Sequence, residues 1–302
     1  MYAKLYGATL HGIDGCIITV EVDISQGLPV FDIVGLPNQS VKEARERVRA
    51  AIKNSGYDFP MRRIVVNLAP ATIRKSSAGL DLAIALGVLI ASGQIKGRKA
   101  NISALLNRCL FMGELALDGS LLPTFGTLAM SLAGLEANYS TIYTGVENGN
   151  TLKAIPNLTI YGESSLENII TVLEDQVKSK SISTFKKVKI EKNQDEILTD
   201  TMDNKNHNTT YDVDFGDVQG QELGKRAMLI SATGHHHCIM IGPPGGGKTM
   251  MAERLPTILP PMTWNEMVEV SRIQDVIGLL GDKGLVKTRP FRHPHHTATL
   301  AS

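Results

Sequence analysis

Along residues 1–36 short apolar, β-rich runs alternate with glycine. Residues 16–24 (CIITVEVDI) and Val30–Val34 (VFDIV) carry β-branched and aromatic side chains and predict strands. Leu36-Pro37-Asn38 stops the sheet, because proline has no amide hydrogen to give to a ladder. The period then changes. Val41, Ala44, Val48, Ala51 and Ile52 fall on one face of a helix. Ser40 with Glu43 offers a capping box, Asn38 is a competing N-cap, and Gly56 closes the helix. Residues 63–68 (RIVVNL) read as a strand, and residues 80–92 as a helix apolar on most sides, ended by Gly93. Residues 110–122 read as a hairpin turning at Asp118-Gly119. A helix over 127–137, strands near 141–143 and 158–161, and a helix over 165–174 complete a mixed α/β domain over residues 1–174.

The periodic signal fades over residues 175–212. That stretch is rich in Lys, Asn, Asp, Ser and Thr and poor in aromatics, so it has too little apolar surface to offset the entropy of ordering. It reads as a polar linker. Pattern returns at Val213, opening a second domain over residues 213–302. A helix is expected over 221–232, a short buried strand over 238–241, then a glycine-rich loop, then a helix from Lys248 to about Ile258.

Composition narrows the function classes. A chain of 302 residues suggests about two domains. The formal net charge of +1 gives no global attraction to nucleic acid or acidic lipid, so any such contact must come from a local patch. Cys16, Cys109 and Cys238 are far apart and odd in number, which argues against a disulfide framework or a zinc site. The longest apolar stretch, residues 80–91, is interrupted by Asp81 and Gly87 and falls short of the roughly 20 residues a membrane span needs. A cytoplasmic protein with no membrane partner is expected.

The chemistry concentrates in Gly242-Pro243-Pro244-Gly245-Gly246-Gly247-Lys248-Thr249, a complete GxxxxGK[ST] octet. Glycines allow consecutive backbone N–H groups to point inward around phosphates, and the following helix presents its positive end to them. Lys248 is placed to reach the β- and γ-phosphates of ATP, and Thr249 to give a hydroxyl to Mg²⁺. The histidines do not form a comparable site. His235, His236 and His237 are adjacent and cannot all face one ion, and His293, His295 and His296 share a loop with Pro294. Loop packing, inter-subunit contact or DNA contact is the expected role for them.

The octet and its surroundings, GDVQGQELGKRAMLISATGHHHCIMIGPPGGGKTMMAERLPTILPPM, together with RPFRHPHHTATLA at residues 289–301, resemble the magnesium-chelatase-like AAA+ ATPases of the ComM/YifB type. The resemblance extends to the first domain, through FDIVGLPNQSVKEARERVRAAIKNSG, RIVVNLAPATIRK, LDLAIALGVLIASGQ and MGELALDGSLLP. It implies a Lon-protease-like (S5 domain 2-like) α/β domain followed by the first part of a P-loop AAA+ domain. It also implies a hexameric, Mg²⁺-dependent ATPase ring acting on DNA, with branch migration during uptake of transforming DNA as the best-known role. Val218, Gly220 and Gln221 are then expected near the adenine. Two other readings stay open: a motor subunit for metallation of tetrapyrroles, and a nonhydrolysing interaction module formed by the first domain.

Peptidase activity is not expected. Lon-type peptidases pair a serine with an activating lysine. Ser77-Ala78-Gly79 superficially matches the nucleophile's setting, but Thr127 and Leu128 stand where the lysine would fall, and no lysine occurs between Lys99 and Lys153. Residues 42–75 hold nine Lys or Arg against three acids. Arg45, Arg49 and Lys53 at helical spacing form either a phosphate-contacting stripe or a solvated helix face. ATP hydrolysis needs in addition an apolar strand ending in Asp-Glu, and none appears between Lys248 and Ser302. The chain therefore reads as a truncated family member that binds Mg-ATP without turning it over alone.

Overall fold

A computed structural model describes residues 1–75, 78–97, 99–178, 211–281 and 284–294. The chain divides into two compact units. The first comprises residues 1–197 with 271–285, and the second residues 198–270 with 286–302.

The first unit opens with β1 (Tyr2–His11) and β2 (Asp14–Ser25), a long antiparallel hairpin in which Tyr2 faces Asp23 and His11 faces Asp14. β3 (Val30–Val34), α1 (Gln39–Asn54) and β4 (Arg63–Ala69) follow. β3 and β4 pair in parallel and β4 pairs antiparallel with β2, giving the order β1-β2-β4-β3. The alternation in β2 and β4 puts Val20, Val22, Ile24, Ile64, Val66 and Leu68 on one face, all buried. On that face lie α1, through Val41, Ala44, Val48, Ala51 and Ile52, and α2 (Asp81–Ser92), buried on nearly every side. α2 sits so close to the sheet that a Cβ on Gly87 would lie 2.6 Å from Val22 Cγ2.

A second, wholly parallel sheet of order β5-β8-β9 is built from β5 (Cys109–Phe111), β8 (Thr141–Gly145) and β9 (Thr159–Glu163). Around it run α3 (Lys99–Leu106), the two-residue strands β6 (Glu114–Leu115) and β7 (Leu121–Leu122), α4 (Thr127–Glu136), α5 (Val146–Leu152) and α6 (Leu166–Lys178). Phe111, Tyr143 and Tyr161 stack across its three strands with ring centroids 4.9 Å apart at each step.

Several expectations are corrected. Asn38, not Ser40, caps α1, its side chain accepting the Val41 N–H at 2.9 Å. Residues 110–122 are not one hairpin. Cys109–Phe111 pairs in parallel with β8, and only β6 and β7 pair antiparallel around the Asp118-Gly119 turn, where Asp118 accepts the Ser120 N–H at 2.9 Å. α6 runs one turn beyond Glu174, with Lys178 facing Glu174 and Asp175 at 3.7 and 3.6 Å. Residues 179–210 of the expected linker lie outside the described residues.

The second unit is helical: α7 (Glu222–Gly234), α8 (Lys248–Arg254) with a 3-10 turn Leu255–Ile258, and α9 (Trp264–Val276), whose residues from Ser271 onward belong with the first unit. The expected buried strand at 238–241 does not form. Ile239 and Ile241 are 83% and 90% exposed, and only Met240 leans on the small core of Phe215, Val218, Met228 and Met251. A strand needs a neighbour to complete its ladder. Among the described residues of this unit there is none.

Candidate nucleotide-binding site

The octet Gly242–Thr249 forms the turn that leads into α8. Gly245 and Gly247 both have φ of +78°, a conformation an L side chain resists, and nothing lies within 4 Å of where a Cβ on Gly245 would be. Gly247 is the N-cap of α8 and offers no side chain, so the first N–H groups of the helix are left for another acceptor. Lys248 folds its ammonium back over the loop, donating to Gly242 O at 2.8 Å and Pro243 O at 2.7 Å. The Gly246 N–H closes the turn on Pro243 O at 3.4 Å. Pro243, Pro244 and Thr249 are exposed.

This arrangement fits a triphosphate and its magnesium. The Lys248 ammonium is held by two neutral carbonyls, which phosphate oxygens outcompete. The exposed Thr249 hydroxyl is an oxygen of the hardness Mg²⁺ prefers. Three cationic or donor elements therefore converge on one loop without a carboxylate among them.

The segment preceding α7 packs on α8 through Met251. Val218 is buried beside Met228 and Met251, whereas Gly220 (φ +66°) and Gln221 (φ +54°) make an exposed left-handed turn into α7. Gly224, one turn on, lies against α8. A Cβ there would come 2.7 Å from Met251 Cε. Of the three residues expected near the base, Val218 thus packs beside Met251 of the helix that bears Lys248 and Thr249.

The Arg289 motif is tied down by a cluster that the sequence pattern alone did not reveal. Arg289 grips Glu266 through two bonds of 2.9 and 3.1 Å and also donates to Pro260 O and Pro261 O, and its own N–H reaches Tyr211 Oη at 3.0 Å. Glu266 in turn caps α9. Its Oε2 accepts the Thr263 N–H at 2.7 Å while its own N–H donates to Thr263 Oγ1. The Arg289 guanidinium, then the Thr263 N–H, hold this carboxyl down at about 2. A signal was present: Thr263-Trp264-Asn265-Glu266 has the spacing of a capping box. Arg292 and His293 beyond it are exposed, and His295 and His296 lie outside the described residues. His235, His236 and His237 are exposed at the end of α7, and among the described residues no three metal-ligating side chains gather.

Elsewhere, of the nine basic residues at 42–75, Arg47 and Lys75 turn inward. Arg47 binds the buried Asp81 at 2.7 and 3.1 Å, and Lys75 is fully buried, donating to Gly35 O at 2.6 Å and to Pro70 O. Arg45 and Lys53 remain exposed, and Arg49 lies over the Phe59 ring. Thr127 and Leu128 are buried, and Ser77 lies outside the described residues.

Two family models match the chain. One described as subunit ChlI of Mg-chelatase matches residues 20–148, and one described as magnesium chelatase, subunit ChlI, matches residues 214–302. The competence protein ComM of Haemophilus influenzae is 35% identical over 298 residues, 99% of this chain and 54% of ComM. The chain belongs to the ComM/YifB-type magnesium-chelatase-like family. YifB of Salmonella typhimurium is 36% identical over 291 residues, covering 96% of this chain and 52% of YifB. A Lon protease of Mycolicibacterium smegmatis is 26% identical over 158 residues, half of this chain and 19% of that protein. The family is one of AAA+ ATPases, and the chain spans about half the length of the ComM and YifB relatives it matches. No helix among the described residues is long and apolar enough to cross a membrane.

Proposed function

We propose that this chain binds Mg-ATP at Gly242–Thr249. The observation that carries the reading is the Lys248 ammonium held over the loop by the carbonyls of Gly242 and Pro243, at the head of a helix whose first N–H groups have no side-chain cap. Backbone N–H groups of Gly245, Gly246 and Gly247 and the Lys248 ammonium hold the phosphates. Thr249 gives its hydroxyl to the magnesium, and Val218, Gly220 and Gln221 flank the base. Bound magnesium supplies charge neutralisation between the phosphates.

At the level of the family, the resemblance to a competence protein favours an ATP-driven DNA motor, with branch migration in recombination as its action and a hexameric ring as its assembly. Residues 213–302 then correspond to the opening part of the AAA+ domain. Residues 1–174 correspond to a Lon-like, non-peptidase domain that serves as an interaction or assembly module in the cytoplasm. The family models' chelatase description is the observation behind a second reading, a motor for tetrapyrrole metallation. The likeness to ComM across 99% of the chain weighs against it.

Thermal unfolding tests the nucleotide reading. A ligand at a hundred times its Kd adds about 2.7 kcal/mol of stability, so saturating Mg-ATP raises the melting temperature of the wild type. Lys248→Ala should show no rise. An equal rise in both contradicts the site. For DNA, affinity that falls steeply as salt is raised is the expected mark of phosphate contacts, and no binding at low salt sinks that part of the reading.

A further inference from the structure

Besides the apolar contact of Phe215 and Val218 with Met251, the segment preceding α7 is hydrogen-bonded to the turn that continues α8 by one side chain outside the octet. Thr257, in the turn that continues α8, uses its hydroxyl in both directions. Oγ1 accepts the Phe215 N–H at 3.1 Å and donates to Arg254 O at 2.8 Å. Phe215 starts a 3-10 turn, Phe215–Asp217, that is closed on itself. Asp214 accepts the Gly216 N–H at 2.6 Å, and Asp217 accepts the Asp214 N–H at 3.0 Å. Such a reciprocally capped turn moves as one piece. A second polar link between turn and helix is the ion pair of Arg254 Nε with Asp217 Oδ2 at 3.8 Å, longer than a hydrogen bond.

What this fastening fixes is the position of residues 218–221. Val218 enters the core beside Met251, two residues past Thr249, and Gly224 lies on the same methionine. Between them Gln219, Gly220 and Gln221 are exposed. These residues carry no charge. They offer neutral N–H, C=O and amide groups, which suit the edge of a heterocyclic base and not a further phosphate.

We infer that Thr257 is a positioning residue for the nucleotide base. It holds the Phe215–Gln221 segment against the P-loop helix, so that base contacts and phosphate contacts are made by one rigid frame. The inference rests on the nucleotide reading above. It separates two parts of the affinity: the phosphate part belongs to the octet, and the base part depends on Thr257.

Calorimetry on the 302-residue chain with Mg²⁺, using ATP and inorganic tripolyphosphate as alternative ligands, tests it on wild type, Thr257→Val and Thr257→Ser. Valine keeps the shape and loses both hydrogen bonds, and serine keeps both bonds. The valine variant is expected to bind ATP about fivefold to tenfold more weakly, the scale of one or two net hydrogen bonds. Its tripolyphosphate affinity stays within about twofold of wild type, and the serine variant restores ATP. An equal loss for both ligands, or no loss for either, overturns the inference. If the wild type binds tripolyphosphate as tightly as ATP, the inference fails while the phosphate site stands. If the wild type binds neither, the nucleotide reading falls and takes the inference with it. Should the valine variant not fold, amide exchange on the wild type decides. ATP is expected to slow exchange at residues 219–221 beyond what tripolyphosphate does, and equal protection by the two ligands overturns the inference.

Discussion

Asp81 and Arg47 face each other 34 residues apart in the chain, with the Asp81 side chain 1% exposed and the Arg47 side chain 20% exposed. Asp81 is the first residue of α2, and it also accepts the Leu115 N–H, so one carboxylate joins two helices and the β6 hairpin. Removing one partner of such a pair strands the other. Asp81→Ala should cost about 3–5 kcal/mol, read as a lowered denaturant midpoint, and a loss under about 1 kcal/mol would contradict the role assigned to it. The charge pattern did not reveal the pair, because Arg47 sits in a run of basic residues that all look solvated in sequence. Lys75 is hidden for the same reason. The octet is legible because its glycines and its closing Lys248-Thr249 match a short, specific pattern. Glu266 provides a second test at this scale. Its carboxyl is held at about 2, below the ordinary glutamate value near 4.3, so its ion pair adds stability above that ordinary value and loses it as pH falls through about 2. A carboxyl titration followed by NMR should find the low midpoint, and Arg289→Ala should raise it toward the ordinary glutamate value.

At the scale of elements, helices and strands with their own apolar face were readable, and those whose partner is distant in sequence were not. α1 and α2 declare themselves by periodicity. β5 does not, because its neighbour is β8, thirty-two residues on at Cys109↔Thr141, and not the residues that follow it. α5 is short and polar, and α9 announces itself only through its capping box. The cap of α4 was also invisible. Its N-cap, Gly126, has no side chain, and the acceptor for the Leu128 N–H is Asp275 Oδ2 at 2.7 Å, from a segment 147 residues away. Burial raises the Asp275 carboxyl, and the bonds from Leu128 and Gly126 oppose the rise. Asp275→Ala should therefore destabilise the first unit by about 1–2 kcal/mol, the range for lost helix caps. Asp275→Asn, which still accepts a hydrogen bond, should recover part of that in chemical denaturation. Gly87 sets a limit of the opposite kind. A methyl group at that position would sit 2.6 Å from Val22 Cγ2. Gly87→Ala should overpack α2 against β2 and cost about 1–3 kcal/mol, whereas a gain from helix propensity would contradict the close approach.

For the whole molecule, the chain combines a mixed α/β unit, whose core is built from two sheets and their helices, with a helical unit that carries the glycine-rich octet. Family membership was carried by the octet and the Arg289 motif, and the similarity to ComM and YifB agrees with it across nearly all 302 residues. The strand expected before the loop does not form, since residues 238–241 have no ladder partner among the described residues. The central claim is that the loop still holds nucleotide in that setting. The direct measurement is isothermal titration of Mg-ATP into the wild-type chain and into Lys248→Ala. Saturable binding of about one nucleotide per chain is predicted for the wild type, abolished in the variant. Binding that is unchanged in Lys248→Ala, or absent from the wild type, would contradict it.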